Sequence, residues 1–260
     1  MTIRARPEFT IPKAQKAAPA VAPSLLTMLR DGKTYRGIPL RAAAFSANAT
    51  PKGLVNVVVV AESIGWASAL SEASFALVNT KTRKSEIVWP VEPLSVLNGR
   101  ATSGAQVPPG EYRLRAAVFD RDGHAGVVEY EFSAGVTQTA ASLEIGDLMV
   151  GQGTPAGGFE PQLAIDDRAA VTGYIEMRGT PAAGTAISAT FELAGSVEGP
   201  ALVTIFGVIG RTASLDRWSA RGAIPIGSYP PGDYVVRVTI KVNDQIAGRA
   251  VRALRKVGKS

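Results

Sequence analysis

The segment PPGEYRLRAAV at residues 108–118 has a second copy, PPGDYVVRVTI, at residues 230–240. In each copy a Pro-Pro-Gly turn precedes residues that alternate between two faces, which is the pattern of a strand in an antiparallel sheet with one packed side. The packed faces consist of Tyr112, Leu114, Ala116 and Val118 in the first copy, and of Tyr234, Val236, Val238 and Ile240 in the second. The opposite faces carry Arg113, Arg115, Arg237 and Lys241.

The repeat extends beyond this motif in two registers. At the motif the copies are 122 residues apart, whereas upstream, where residues 75–77 fall on residues 191–193, they are 116 apart. Two copies of one fold that differ by an insertion of about six residues explain both offsets. We expect the two tyrosines to be equivalent, each beginning the penultimate strand of its domain with the ring inward and the hydroxyl bonded to the backbone. The matching motif residues are Pro109, Gly110 and Tyr112 in the first copy, and Pro231, Gly232 and Tyr234 in the second.

The composition supports an all-β chain. Among 260 residues, 46% are hydrophobic and 19% charged, and 27 glycines and 17 prolines separate short runs rich in Val, Thr, Tyr and Phe, which is typical of strands joined by turns. We predict two tandem antiparallel β-sandwich domains of the immunoglobulin or fibronectin type, at residues 34–134 and 143–257, joined by a linker at 135–142. Residues 1–33, rich in Ala and Pro, are predicted to be a leader and extended tether. Within this leader, Ser24 is placed to cap one short helical turn that ends at Asp31.

The charge pattern and the missing cysteines limit the function classes. The net charge is +6, but Lys and Arg are mostly scattered. They are dense only at Arg4 and Arg6 and near the C-terminus, and the C-terminal group is typical of a solvated tail rather than a nucleic-acid patch. Without cysteine there is no disulfide framework and no thiolate metal site. No apolar run reaches the roughly 20 residues of a membrane span, and residues 1–7 (MTIRARP) lack the apolar core and small-residue cleavage site expected of a secretion signal.

Residues 3–9 (IRARPEF), the Ala/Pro-rich leader and residues 108–118 resemble the C-terminal region of bacterial von Willebrand factor A-related proteins of the kind found in acidobacteria. The resemblance covers nearly the whole chain. It implies accessory sandwiches of a secreted or cell-envelope adhesion protein. The Asp-x-Ser-x-Ser loop that holds the family's adhesion metal does not occur here, so none of that chemistry is carried over to this chain.

The one histidine, His124, lies with Asp120 and Asp122 in a predicted hairpin turn. General-base chemistry would also require a neighbouring nucleophile, and the second copy has Ile246 at the position of His124. The two aspartates resemble the start of a calcium loop, but the glycine falls at the fourth position instead of the sixth. We therefore predict a turn that binds no metal.

Other motifs are interpreted as structural. Residues 151–156 (GQGTPA) look like a dinucleotide fingerprint, but Pro155 denies them the helix that would hold a phosphate, and we predict a loop. Trp66, Trp89 and Trp218 could line a sugar or peptide groove, although sandwiches commonly bury a tryptophan, which favours the core.

These observations predict a non-catalytic structural or protein-interaction module without catalytic residue, cofactor or metal, whose partner is a protein or a glycan rather than a nucleic acid. The main alternative is a carbohydrate-binding accessory domain, and a less favoured one is a hydrolase with an unrecognised site. The candidate binding surface consists of Arg113, Arg115, Arg237 and Lys241, which would give salt-dependent contacts. The oligomeric state and the strand order stay open at this stage.

Overall fold

The computed structural model describes residues 24–31, 37–81, 87–88, 95–97, 99–139, 142–154, 158–166, 168–182, 184–211 and 216–258. These residues are almost entirely β-structure and contain one short helix, α1 (Leu25–Asp31), before the first strand. In the described part of the chain no helix is long and apolar enough to cross a membrane.

Domain 1 is a sandwich of two four-stranded antiparallel sheets, ordered β1-β2-β6-β5 and β4-β3-β7-β8. With the strands named as in immunoglobulin domains, these sheets are A-B-E-D and C′-C-F-G. The strands are β1 (Leu40–Ala49), β2 (Val55–Ser63), β3 (Leu70–Asn79), β4 (Ile87–Val88), β5 (Ser95–Leu97), β6 (Arg100–Val107), β7 (Gly110–Asp120) and β8 (Ala125–Ala134).

Domain 2 repeats this topology with additions. One sheet is ordered β13-β20-β19-β15-β16; in the other, β14 pairs with β10 and β11 on one side and with β18 on the other, and β18 pairs with β17. The strands are β9 (Thr137–Gln138), β10 (Glu144–Ile145), β11 (Met149–Gly153), β12 (Phe159–Pro161), β13 (Ala164–Ile165), β14 (Ala170–Arg178), β15 (Ile187–Ala194), β16 (Ala201–Phe206), β17 (Val208–Arg211), β18 (Arg217–Pro225), β19 (Gly232–Val242) and β20 (Gln245–Lys256). The fold class is therefore the one that the sequence predicts.

The repeated motif forms a tyrosine corner in each domain. Tyr112 begins β7 and donates its hydroxyl hydrogen to the carbonyl oxygen of Pro108 at 3.0 Å. Tyr234 begins β19 and donates to the carbonyl oxygen of Pro230 at 2.7 Å. Both rings are buried, and β7 and β19 are the penultimate strands of their domains, so the two tyrosines are equivalent as the repeat predicts.

The ladders show where the second copy carries its extra residues. Val55 pairs with Val107, and the equivalent Val171 pairs with Ile224, so the two copies are still about 117 residues apart here. Most of the insertion therefore lies between β18 and β19. The buried Lys256 ammonium donates to the carbonyl oxygens of this segment, those of Ile226 (2.9 Å), Gly227 (3.2 Å) and Tyr229 (2.7 Å).

Three segments differ from the sequence-based expectations. Ser24 caps α1 through a hydrogen bond from the Thr27 amide, as expected, but the helix does not belong to a free tether: its Met28 and Leu29 are buried against β3, β7 and β8 of domain 1. The linker contains β9, whose backbone pairs with β10 because the chain enters the second domain's sheet directly. Residues 151–153 belong to strand β11 rather than a loop. Residues 1–23 lie outside the described residues.

We expect Tyr234→Ala to lower the free energy of unfolding by about 3 to 5 kcal/mol, because it removes a buried ring. Tyr234→Phe keeps the ring and loses only the hydrogen bond to Pro230, so we expect a loss of about 1 kcal/mol. Urea unfolding followed by tryptophan fluorescence measures both changes. Equal unfolding midpoints for the wild type and Tyr234→Ala would contradict the assignment of this corner.

Candidate binding surfaces

The predicted turn at the end of β7 is built around Asp120, whose side chain is fully buried. Its Oδ1 accepts hydrogen bonds from the backbone amides of Asp122 (2.9 Å) and His124 (2.8 Å). Its Oδ2 accepts from Trp66 Nε1 (3.0 Å) and lies 2.9 Å from His124 Nδ1. Burial raises the pKa of Asp120, but these hydrogen bonds outweigh that effect and leave its pKa below the usual value.

These contacts define what the Asp120 turn can do chemically. Possible ligand atoms of Asp120, Asp122 and His124 lie within 4.8 Å of one another. However, four donors already surround the two oxygens of Asp120, so a cation would have to displace hydrogen bonds from a buried carboxylate. The arrangement favours a locked turn that orients His124 and Trp66, and this supports the prediction that the loop binds no metal.

The four cations of the predicted binding surface lie on β7 and β19, in different domains. Arg113 pairs with Glu131 at 2.9 Å, and Arg115 pairs with Glu129 at 2.6 Å. Arg237 pairs with Glu192 and donates to the carbonyls of Val197 and Gly199. Lys241 is half-buried, and its backbone lies between Ser188 and Ile246 in the ladder. Three of the four cations therefore have partners within the chain, which favours a role in stability.

The tryptophans also support the sandwiches. Trp66 and Trp218 are half-buried and pack against the cores of domains 1 and 2, respectively. Trp218 Nε1 donates to the carbonyl of Gly179 at 3.2 Å, and the Arg211 guanidinium lies 4.2 Å from the centre of the indole ring system. Trp89 lies outside the described residues.

A contact surface also lies between the two domains, and it centres on β1. Ala42 and Ala44 of this strand belong to the core of domain 1. The opposite face of β1 packs on domain 2, so the strand is buried on both faces. We call the apolar residues of this contact the interdomain cluster: Ala43, Phe45, Ala47, Val60, Met149, Leu163 and Tyr174.

At one end of the cluster the backbones of the two domains meet directly. The Ser46 amide donates to Asp147 Oδ2, and the Asp147 amide donates to the Ser46 carbonyl, both at 2.7 Å. A Cβ on Gly146 would lie 2.0 Å from the carbonyl oxygen of Ala47, so only glycine fits this close approach. The Gly135 amide also donates to Ser46 Oγ. These contacts fix the junction between the domains.

A buried ion pair closes another part of the interface. The Arg100 guanidinium donates to the carbonyl of Pro161 at 3.1 Å and lies 3.6 Å from Glu62 Oε1. Glu62 Oε2 accepts the Ala164 amide at 2.9 Å. Burial raises the pKa of Glu62, against the lowering effect of Arg100. Removing either charge would leave the other poorly compensated between the domains.

A third polar contact joins β1 to β14. Glu176 accepts hydrogen bonds from Asn48 Nδ2 and from the Tyr174 hydroxyl, and it pairs with Arg217 at 3.0 Å. Burial first, and then the charge of Glu176, raise the pKa of Tyr174 to about 12, so this phenol remains a donor at neutral pH. The polar contacts and the interdomain cluster together hold the sandwiches in one orientation.

A groove of about 350 Å³ lies where the two domains meet. One wall is β8 and the other is β20. Among the residues that the structure describes, β8 is an edge strand of its sheet, and β20 pairs on its outer side only with the short β13. Arg249 and Arg252 stand on the β20 wall, and the Arg252 guanidinium lies 4.6 Å from the ring centre of Phe45. The other lining residues are Ala44, Tyr130, Phe132, Ser133, Thr137, Gly146, Asp147, Leu148, Ala250 and Val251.

Sequence reasoning missed this groove because its residues come from segments far apart in the chain. The one local signal was β1 itself. Its sequence LRAAAFSANA is apolar or small at successive positions, a pattern typical of a strand covered on both faces.

Calcium and zinc titrations test the Asp120 turn. We expect neither ion at micromolar concentration to shift the melting temperature, and Asp120→Ala to cost about 3 kcal/mol through the loss of charged hydrogen bonds. Because folding lowers the pKa of Asp120, this stabilisation is complete above about pH 4 and is lost as the pH falls through the lowered pKa. Micromolar binding abolished by Asp120→Ala would show that the loop is a metal site.

Arg100→Met tests the buried ion pair. It removes the cation that acts most strongly on the largely buried Glu62 and leaves the weaker effect of Arg41, so we expect the free energy of unfolding to fall by about 3 kcal/mol, and small-angle scattering to show a more open particle. The matched control is Arg113→Met, whose partners are exposed and whose loss should cost at most about 1 kcal/mol. The double variant Arg100→Met/Glu62→Gln should recover part of the stability; equal effects of Arg100→Met and Arg113→Met would contradict the role of the pair.

Comparisons with known proteins do not assign a family. No protein-family description matches the chain, and no curated protein matches it. Similar solved structures include a DUF3823 family protein from Bacteroides ovatus, with 14% identity, 83% of this chain and 99% of that chain covered, and a TM-score of 0.30. Red sea bream transglutaminase has 13% identity, 86% and 32% coverage and a TM-score of 0.29. A tandem pair of titin immunoglobulin domains has 11% identity, 84% and 100% coverage and a TM-score of 0.23. The immunoglobulin-like topology of this chain therefore rests on its own strand pairing.

Proposed function

We propose that this chain is a non-catalytic protein-interaction module whose binding surface is composed jointly by two immunoglobulin-like domains. The observation that carries the proposal is the interdomain groove. Its β8 wall belongs to domain 1 and its β20 wall to domain 2, and the buried contacts around Ser46, Glu62 and Glu176 hold those walls at a fixed separation. A preformed groove of this kind binds its ligand without the cost of ordering two domains.

The state of the one histidine supports a non-catalytic function. The Nδ1 of His124 is held by Asp120, and its ring packs edge-on against Trp66 at 5.3 Å between ring centres. The side chain is 48% exposed at a hairpin tip, outside the residues that line the groove. The histidine is thus part of a structural turn, whereas general-base catalysis requires a base aimed at a nucleophile or at substrate.

The walls of the groove indicate the chemistry of the ligand. Edge strands bind extended peptides through main-chain hydrogen bonds, with side-chain pockets adding specificity. Arg249 and Arg252 on the β20 wall favour carboxylate side chains. We therefore propose an extended segment of a partner protein that carries Asp or Glu as the ligand class. The resemblance at residues 3–9 and 108–118 supports a further part of the proposal, that the module is an accessory region of a secreted or envelope protein.

A displayed library of random peptides, followed by binding measurements with the selected peptides in purified form, tests the groove. We expect acidic sequences whose affinity falls as salt rises, and Arg249→Glu to weaken binding about tenfold, which corresponds to about 1.4 kcal/mol. The matched control is Arg255→Glu on the same strand, since Arg255 pairs with Asp233 and does not line the groove.

Three outcomes would contradict the proposed function. One is equal loss of affinity in Arg249→Glu and Arg255→Glu, which would indicate nonspecific electrostatics. Another is selective binding on a glycan array without any peptide ligand, which would favour the carbohydrate-binding alternative. The third is turnover of a hydrolase substrate that disappears when one polar cluster is replaced.

A further inference from the structure

Residues 201–211 form one extended segment that crosses from one sheet of domain 2 to the other. Its first part, β16, pairs with β15, and its second part, β17, pairs with β18, with Gly207 between them. Val203, Ile205 and Ile209 pack inward against the domain 2 core. A Cβ on Gly207 would lie 2.7 Å from the ring of Phe191, so glycine lets the strand pass close to the core.

The other face of this segment presents apolar side chains to solvent. Leu202 is 46% exposed, Phe206 86% and Val208 74%. Phe206 and Val208 flank Gly207, and with Leu202 on β16 they concentrate exposed apolar side chains on one segment rather than leaving a single exposed residue. Patches of this kind on a folded domain mark interaction surfaces.

The backbone of β16 is also available for pairing, although the Leu202 carbonyl already accepts the Tyr229 hydroxyl at 3.2 Å and offers a partner only its second lone pair. The Gly207 amide donates to the carbonyl of Ala189 on β15, and antiparallel strands alternate the direction of their main-chain groups. The main-chain groups of Thr204 and Phe206 therefore point away from β15. Among the described residues, β16 has a ladder with β15 and with no other strand.

The sequence of this edge lacks the charged residues that normally protect an edge strand from pairing with another molecule. From Ala201 to Gly210 the chain has no Asp, Glu, Lys or Arg, whereas the opposite side of the same sheet, β20, carries Arg249, Arg252 and Arg255. Charges on edge strands prevent pairing with another molecule. β20 has this protection and β16 lacks it.

We propose that β16 pairs antiparallel with β16 of a second copy of this chain, joining the two five-stranded sheets across a two-fold axis. Across a two-fold axis, the same surface of each copy faces its counterpart in the other copy. Two copies that each carry a net charge of +6 repel each other least where that surface has no charged residues. With the axis at Thr204, Leu202 of one copy lies opposite Phe206 of the other, which covers the most exposed ring of the patch. This contact is separate from the interdomain groove.

Sedimentation velocity of the full chain across the micromolar range tests the pairing. We expect a dimer for the wild type, and a dissociation constant at least tenfold higher for Phe206→Lys, which places a charge in the contact. Thr204→Pro should have the same effect because it removes an outward-pointing N–H from the edge. The matched control is Ile246→Lys, which makes the same type of change at another exposed apolar residue (54% exposed) at the hairpin tip and should leave the dimer intact.

Cross-linking tests the geometry independently of affinity. The chain has no cysteine, so Thr204→Cys introduces a unique thiol that a short thiol-specific reagent should link into a covalent dimer, while Ile246→Cys should remain monomeric on denaturing gels. A monomeric wild type, a dimer unchanged in Phe206→Lys, or absent cross-linking at Thr204→Cys would each overturn the proposal. A monomer that needs Phe206 to bind a strand of a different protein would assign this edge to that partner instead. Arg249→Glu should leave the dimer unchanged, which separates this test from that of the groove.

Discussion

The burial of β1 on both faces is the constraint on which the arrangement of this protein depends. One face completes the core of domain 1, and the other, through Phe45, packs on Met149 and Tyr174 of domain 2. A strand used in this way cannot face water on either side, so separating the domains would expose apolar surface and the buried charges of Glu62 and Arg100 together. The two sandwiches are consequently joined by buried contacts as well as by their linker.

The two domains share one strand topology but fill their cores with different residues. Phe75 and Phe191 occupy equivalent positions on β3 and β15, and both are buried. In domain 2, Gly173, Gly207 and Gly222 lie so close to Phe191 that a Cβ on any of them would come within 2.7 Å of the ring. The ring thus fills space that side chains of the opposite sheet would otherwise occupy. The tyrosine corners are present in both domains. Their hydrogen bonds join residues only four positions apart, so they do not depend on which side chains fill the core.

Features set by local sequence were predictable, and features set by distant contacts were not. Alternation of residue types and turn motifs defined the strands, the tyrosine corners and the cap at Ser24, because each depends on neighbours a few residues away. The docking of Met28 on domain 1 and the pairing of β9 depend on surfaces that exist only after folding. The contact of Ser46 with Asp147 joins residues 101 positions apart, and in the sequence each residue looks like an ordinary polar residue near a turn. The groove is formed by contacts of this kind, so it could not be predicted from the sequence either.

The two edges of one sheet in domain 2 differ in how they are protected from pairing with other molecules. Edge strands are liabilities unless they are covered, shortened or charged. In domain 2, β20 carries arginines, and its outer side borders the interdomain groove, so its free main chain is accessible only to a ligand that fits between the domains and tolerates positive charge. β16 has neither protection, and its Phe206 is the most exposed large apolar side chain among the described residues. An unprotected edge beside a protected one in the same sheet is difficult to explain by stability alone, since replacing a solvent-exposed phenylalanine with a polar residue would cost the fold little. The difference between the two edges is therefore most simply explained by a contact that covers Phe206.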